Sequence, residues 1–245
     1  MHDCEAALDK FMPDPTILFE DNHLLVLNKP SGIATMGALE GEPSLVEWAR
    51  ADLKRRYQKP GNVYIGVVQR LDAWASGVLV LAKTSKAAAR LTAQFAGRET
   101  SKQYWCVVEG QVKPTSATWI DHLAKDDAAR RVRVVSKSAP EAQRAELNYS
   151  VRGRSTQGGY SWLEIELLTG RKHQIRVQCS SRGHAIVGDQ KYDAETRFAP
   201  ESIALHSRTL TIQHPTRGEV MTFAAPLPAA WRKFELPWPA DAFPG

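Results

Sequence analysis

The apolar positions of this chain recur mostly at period two, in short runs broken by turn residues, and at helical period in only a few stretches. Residues 17–20 and 24–28 read as strands around the turn Asp21-Asn22-His23, followed by a tight turn at Lys29-Pro30-Ser31-Gly32. Leu45, Trp48, Ala49 and Leu53 repeat at helical spacing behind Ser44, which predicts a capped helix to about Tyr57. Residues 77–83 form an apolar run that predicts a buried strand. The clearest helix covers 85–97, with Ser85 as its cap and Gly97 as its stop.

Strands are expected at 104–109, 119–123, 162–168, 203–213 and 220–224. A short helix is expected over about 172–181, closed by Gly183, then a turn-strand-turn over 183–189 and a last short helix near 229–234. The strands follow one another directly and outnumber the helices. The predicted class is therefore α+β, a mixed, largely antiparallel sheet with helices on its faces, and not a doubly wound parallel sheet. The expected organisation is a flexible leader at 1–15, one catalytic domain at 16–235 and a Pro-rich, partly ordered tail at 236–245.

Composition adds modest constraints. The 245 residues are enough for a sizeable core, and a net charge of +5 suits a polyanionic partner without requiring one. Three scattered cysteines (Cys4, Cys106 and Cys179) argue against a disulfide framework or a local zinc motif. The acidic start lacks the basic and apolar regions of a secretory signal, and no run approaches the ~18 apolar residues of a membrane span. A cytoplasmic protein is expected. Residues 125–154 carry a local excess of +4, which is usually a solvated face but also allows a basic hairpin arm that touches phosphates.

Candidate chemistry gathers in three places. Asp72 lies in Gln69-Arg70-Leu71-Asp72-Ala73-Trp74-Ala75-Ser76-Gly77, just before the apolar segment at 78–82. That setting holds an acid at the lip of a core, rigid and only partly solvated, where carboxylates do covalent chemistry. The second cluster is Thr169-Gly170-Arg171-Lys172-His173-Gln174-Ile175-Arg176, dense in donors suited to phosphate or to a carboxylate. On a helix, His173 and Arg176 would share a face. The third is Lys102-Gln103-Tyr104-Trp105, where an aromatic opening a strand is more often core than functional. Gly-rich nucleotide loops and a nucleophile elbow are absent, and the histidines, among them His206, are too widely spaced for a local metal motif.

Taken in order, these segments resemble the RluA-type family of RNA pseudouridine synthases over about residues 16–228. The resemblance rests on five blocks: residues 17–32 ending in Lys-Pro-Ser-Gly; Arg70-Leu71-Asp72 with Ser76-Gly77; Lys102 and Tyr104 with Gly110; Thr169-Gly170-Arg171 through Arg176 with Gly183-His184, residues 186–189 and Tyr192; and Leu205-His206, His214-Pro215 and Ala225-Pro226-Leu227-Pro228. It departs from the family's usual pattern at Gln69 (usually His), Ala75 (usually Thr), Ala185 (often Pro) and Asp193 (often Gly), which bears on loop conformation and RNA contacts. Many members carry an extra N-terminal RNA-binding domain, and none is expected here.

The resemblance implies the pseudouridine synthase fold with a catalytic cleft across the sheet, acting as a monomer on ribosomal or transfer RNA, with no cofactor, metal or membrane. It implies Asp72, Tyr104 and Arg176 as catalytic residues converging on one pocket. Asp72 would attack the sugar or the base, or take a proton from C2′. Tyr104 would stack on the uracil or assist proton removal from C5, and Arg176 would pair with Asp72. Arg70, Arg171, Lys172 and His173 are the expected RNA contacts. A non-catalytic RNA-binding or RNA-chaperone protein on the same fold is the alternative.

Overall fold

The computed structural model describes residues 14–37, 44–156 and 159–244. Most of the expected leader, with Cys4, and residues 38–43 lie outside them. The chain divides into two compact units, Met1–Thr100 with Thr209–Ala225, and Ser101–Arg208 with Pro226–Gly245.

In the first unit, β1 (Thr16–Glu20) pairs with β2 (Leu24–Lys29), and β2 with β4 (Ser76–Ala82). The two-residue strand β3 (Gly66–Val67) also lies against β4. All seven residues of β4 are buried. This is why its sequence reads as a continuous apolar run: a strand covered on both faces has no polar side to show. Val78, Val80 and Ala82 join Leu24, Val26, Leu210 and Phe223 in one cluster with Ala87 and Leu91 of a helix. Burying each large aliphatic side chain there contributes about 1.5–3 kcal/mol.

That helix, α2 (Ser85–Gly97), follows α1 (Leu45–Arg56) in the same unit. Ser44 caps α1 with a full capping box: its side chain accepts from Glu47 N, and the Glu47 carboxylate accepts from Ser44 N. The ends of α2 differ from expectation. Thr84 is its cap, accepting from Ala87 N, and Arg98, not Gly97, takes the left-handed conformation that ends it. The hairpin between β10 (Leu205–Gln213, here from Thr209) and β11 (Val220–Ala224) completes the unit.

The second unit is an antiparallel sheet in the order β5 (Ser101–Glu109), β9 (Tyr160–Leu167), β8 (Gln143–Arg154), β6 (Ser116–Asp126) and β7 (Arg131–Val135). Val177 of α3 (Gln174–Ser180) packs with Leu123, Val132, Ala145 and Tyr192 of this unit. The long strand β8 lies where the sequence showed a charge run. Its buried alternation, Ala145, Leu147 and Tyr149, carries the core side. Its arginines pair locally, Arg144 with Glu146 and Arg152 with Glu164, while Arg133 on β7 pairs with Asp126 on β6. Three of the arginines thus face local counter-charges, while Lys125, Arg130 and Lys137 around the β6–β7 hairpin stay exposed.

Two further expectations change. Residues 183–189 hold no strand, only a single bridge between Val108 and Ile186. The Pro-rich tail packs into the second unit: Trp238 lies against Trp105, Trp162 and Trp231, Ala242 is fully buried, and Arg208 binds the Asp241 carboxylate at 2.6 Å. The last short helix forms as a 3-10 helix at Ala229–Phe234. The class is α+β, and every pairing described within either unit is antiparallel. Among the described residues no helix is long and apolar enough to cross a membrane.

Candidate active site

Asp72 is half-buried, in the turn that leads into β4. The turn is closed by Ala75 N donating to the Asp72 carbonyl at 3.1 Å. Thr35 fixes it from one side: its hydroxyl donates to Leu71 O at 2.9 Å and accepts from Leu71 N at 3.1 Å. From the other side, Ala73 O accepts from Gly32 N at 2.9 Å and from Lys29 Nζ at 3.0 Å. Gly32 has φ +91°, a conformation that favours glycine. The residues on both sides of Asp72 are therefore held through their main chain.

Lys29 is fully buried, and its Nζ also donates to Pro30 O at 2.7 Å and Ile33 O at 2.9 Å. Burial pulls its pKa down to about 7, while the Asp72 charge pulls the other way. Three carbonyl acceptors need three N–H bonds, which only the ammonium supplies. We therefore take Lys29 as the cation at and below neutral pH. Neither Lys29 nor Thr35 stood out in the sequence as an anchor for Asp72. The available signal was a lysine closing an apolar run, read there as the start of a turn.

Arg70 is exposed beside this turn, and the Gln69 amide nitrogen is buried with no hydrogen-bond partner among the described residues.

In the second unit, Tyr104 is buried on β5, opposite Ile165 of β9. Arg176 on α3 is 6% exposed and is gripped bidentately by Asp189, itself fully buried: Nε to Oδ2 at 2.6 Å and Nη2 to Oδ1 at 2.7 Å. Its guanidinium also lies over the Tyr192 ring, 5.0 Å from the centroid. Asp189 is a partner that the sequence reading did not assign, having quoted it only as the end of a turn.

His173 sits at the N-cap of α3 with left-handed backbone, φ +53°, so it does not share a helical face with Arg176 as expected. Its Nδ1 lies 2.8 Å from the Tyr192 hydroxyl, which also accepts from Val132 N at 3.0 Å. Thr169 and Gln174 staple the turn before α3 to β8. Thr169 Oγ1 donates to Gln174 Oε1 at 2.7 Å and accepts from Glu146 N at 2.8 Å, and Gln174 Nε2 donates to Glu146 O at 3.1 Å. Arg171 and Lys172 are exposed on that turn, with Arg171 Nε donating to Arg144 O at 3.1 Å. The donor-rich segment thus divides into an internal frame and two exposed cations suited to phosphate.

His206 is fully buried against Trp231, consistent with a structural role. Among the described residues no group of three or more His, Cys, Asp or Glu side chains is placed to hold a metal.

The fold is that of the pseudouridylate synthases: a human RNA pseudouridylate synthase domain containing 4 structure aligns with TM-score 0.74 over 91% of this chain and 94% of that one, at 23% identity. The human domain containing 1 structure gives TM-score 0.68 over 89% and 87%, also at 23% identity. The chain belongs to the RluA-type RNA pseudouridine synthases, a family of isomerases, with residues 23–181 matching the family described as RNA pseudouridylate synthase. It is similar to the dual-specificity RNA pseudouridine synthase RluA of Escherichia coli, 35% identical over 86% of this chain and 92% of that one. The ribosomal large subunit pseudouridine synthase C of Vibrio parahaemolyticus is 31% identical over 89% of this chain and 67% of its own length.

Proposed function

We propose that this chain converts specific uridines of ribosomal or transfer RNA to pseudouridine, with Asp72 as the catalytic carboxylate. The observation that carries this reading is the frame around Asp72: Lys29, Thr35 and Gly32 immobilise the backbone on either side of it. Preorganising a reacting group in this way lowers the cost of reaching the transition state. The names of the similar proteins, dual-specificity in one case and ribosomal large subunit in another, support RNA of these classes as substrate.

The reaction is an isomerisation. The C1′–N1 bond breaks, the uracil turns, and C5 bonds to C1′; C5 loses its proton to solvent and N1 takes one up. Asp72 serves by attack on the sugar or the base, or as the base at C2′. Tyr104 is proposed to stack on the uracil or assist proton loss from C5. Arg176, braced by Asp189, is proposed to act with Asp72 on the same uridine. Arg70, Arg171, Lys172 and His173 are proposed to contact the RNA, whose backbone interactions help offset the few kcal/mol needed to unstack a base.

Asp72→Asn is expected to fold as the wild type, with the same circular dichroism and melting midpoint, yet release no tritium from RNA labelled at uridine C5. Release at the wild-type rate would show that another group carries the chemistry.

A further inference from the structure

We propose that Trp74 is a stacking platform for the nucleobase next to the target uridine. This rests on the reading of Asp72 as the catalytic carboxylate. Of the seven tryptophans, five are engaged with other rings or cations: Trp105, Trp162, Trp231 and Trp238 with one another, and Trp119 with Tyr149 and Arg182. Trp74 has no ring neighbour and no hydrogen bond among the described residues, and it is 38% exposed. It is therefore not held in place by a ring contact or a hydrogen bond among the described residues.

Its backbone, however, is fixed. Trp74 occupies the tip of the turn closed by Ala75 N and Asp72 O at 3.1 Å, next to Ala73, whose carbonyl takes two hydrogen bonds. An indole on pinned backbone has only two side-chain torsions to lose on binding. Two residues of chain span at most about 7 Å, which is about two stacked nucleotide steps of ~3.4 Å. The indole is thus within reach of the nucleotide adjacent to whichever one meets Asp72.

The chemistry supplies the partner. A uridine drawn to Asp72 leaves its stack, and its neighbour is left with one bare face. An exposed aromatic ring at that distance can cover the face, and stacking is tolerant of base identity.

The test uses the Asp72→Asn chain as host, so that RNA binds without turnover, and measures filter binding of unmodified ribosomal and transfer RNA transcripts. Adding Trp74→Ala should weaken binding by roughly 5- to 150-fold, and Trp74→Phe should recover most of the loss. In the chain with Asp72 intact, Trp74→Ala should raise the half-saturating RNA concentration for tritium release by more than it lowers the saturated rate. Equal affinity with and without the indole overturns the proposal, as does a loss that phenylalanine does not restore. Activity in the Asp72→Asn host would instead refute the catalytic reading, and the binding comparison would stand apart from it.

Discussion

The Asp72 turn and the Arg176–Asp189 pair hold a charged side chain by opposite means. Around Asp72 the frame acts on the main chain: the Leu71 and Ala73 backbone groups engage Thr35, Gly32 and Lys29. Around Arg176 the frame is another charge, Asp189, with an aromatic ring beneath it. A frame on the main chain fixes where the group sits through its neighbours' backbone. A charge frame commits the group and makes its neighbourhood intolerant of losing either partner. The first arrangement suits a group that reacts, and the second a group that must keep its charge and its direction.

The comparison is most sharply tested by breaking the buried pair. Asp189→Ala leaves the guanidinium of Arg176 without its bidentate partner in a site where both side chains are almost fully buried. Removing one member of such a pair typically costs about 3–5 kcal/mol. The expected outcome is a lowered midpoint of urea unfolding and loss of tritium release. A midpoint equal to wild type would show that the pair is not what holds Arg176.

The next effect is at Lys29. Lys29→Met removes the donor from three carbonyls, that of Ile33 buried, and should destabilise by about 1–3 kcal/mol. It also carries a pH signature. The pKa of Lys29 is depressed to about 7 in the folded chain, against ~10.4 when unfolded. Between those values the unfolded chain binds a proton that the native one does not, so stability rises with pH, by at most ~1.4 kcal/mol per unit. Below about pH 7 both states are protonated and the contribution is flat. Urea midpoints from pH 6 to 10 should therefore climb more steeply in the wild type than in Lys29→Met. Parallel curves would mean that Lys29 keeps its proton throughout.

Local features of this molecule were legible in the sequence, and distant pairings were not. The capping box of Ser44 and Glu47 and the seven-residue apolar run of β4 are each written within one short segment. The blocks around Asp72, Tyr104 and Arg176 were visible as ordered motifs. The strand β8 was obscured because its three arginines and Glu146 mask the alternation of Ala145, Leu147 and Tyr149. Residues 185–187 look strand-like because they are apolar, yet their burial comes from packing with only one bridge. Lys29 reaches Ala73, and Thr35 reaches Leu71, across dozens of residues, and no spacing rule announces either contact. The same holds for Asp189, whose charge finds Arg176 only once α3 and the turn after it are folded.

The smallest effects should come from a matched pair of threonines, which isolates what each frame does. Thr35 and Thr169 are both almost fully buried, and each hydroxyl both donates and accepts. Valine has nearly the same shape and lacks the hydroxyl, so either substitution should cost about 1 kcal/mol in stability. Their kinetic signatures should differ. Thr35→Val loosens the main chain at Leu71, one residue before the carboxylate, and should lower kcat with little change in KM. Thr169→Val loosens the turn that carries exposed Arg171 and Lys172, and should raise KM for RNA more than it lowers kcat. The measurement is tritium release against RNA concentration for both variants under one salt condition, because phosphate contacts weaken as salt rises. The same split in both variants would mean that the two frames serve one step, and the contrast between a reacting region and a binding region would have to be abandoned.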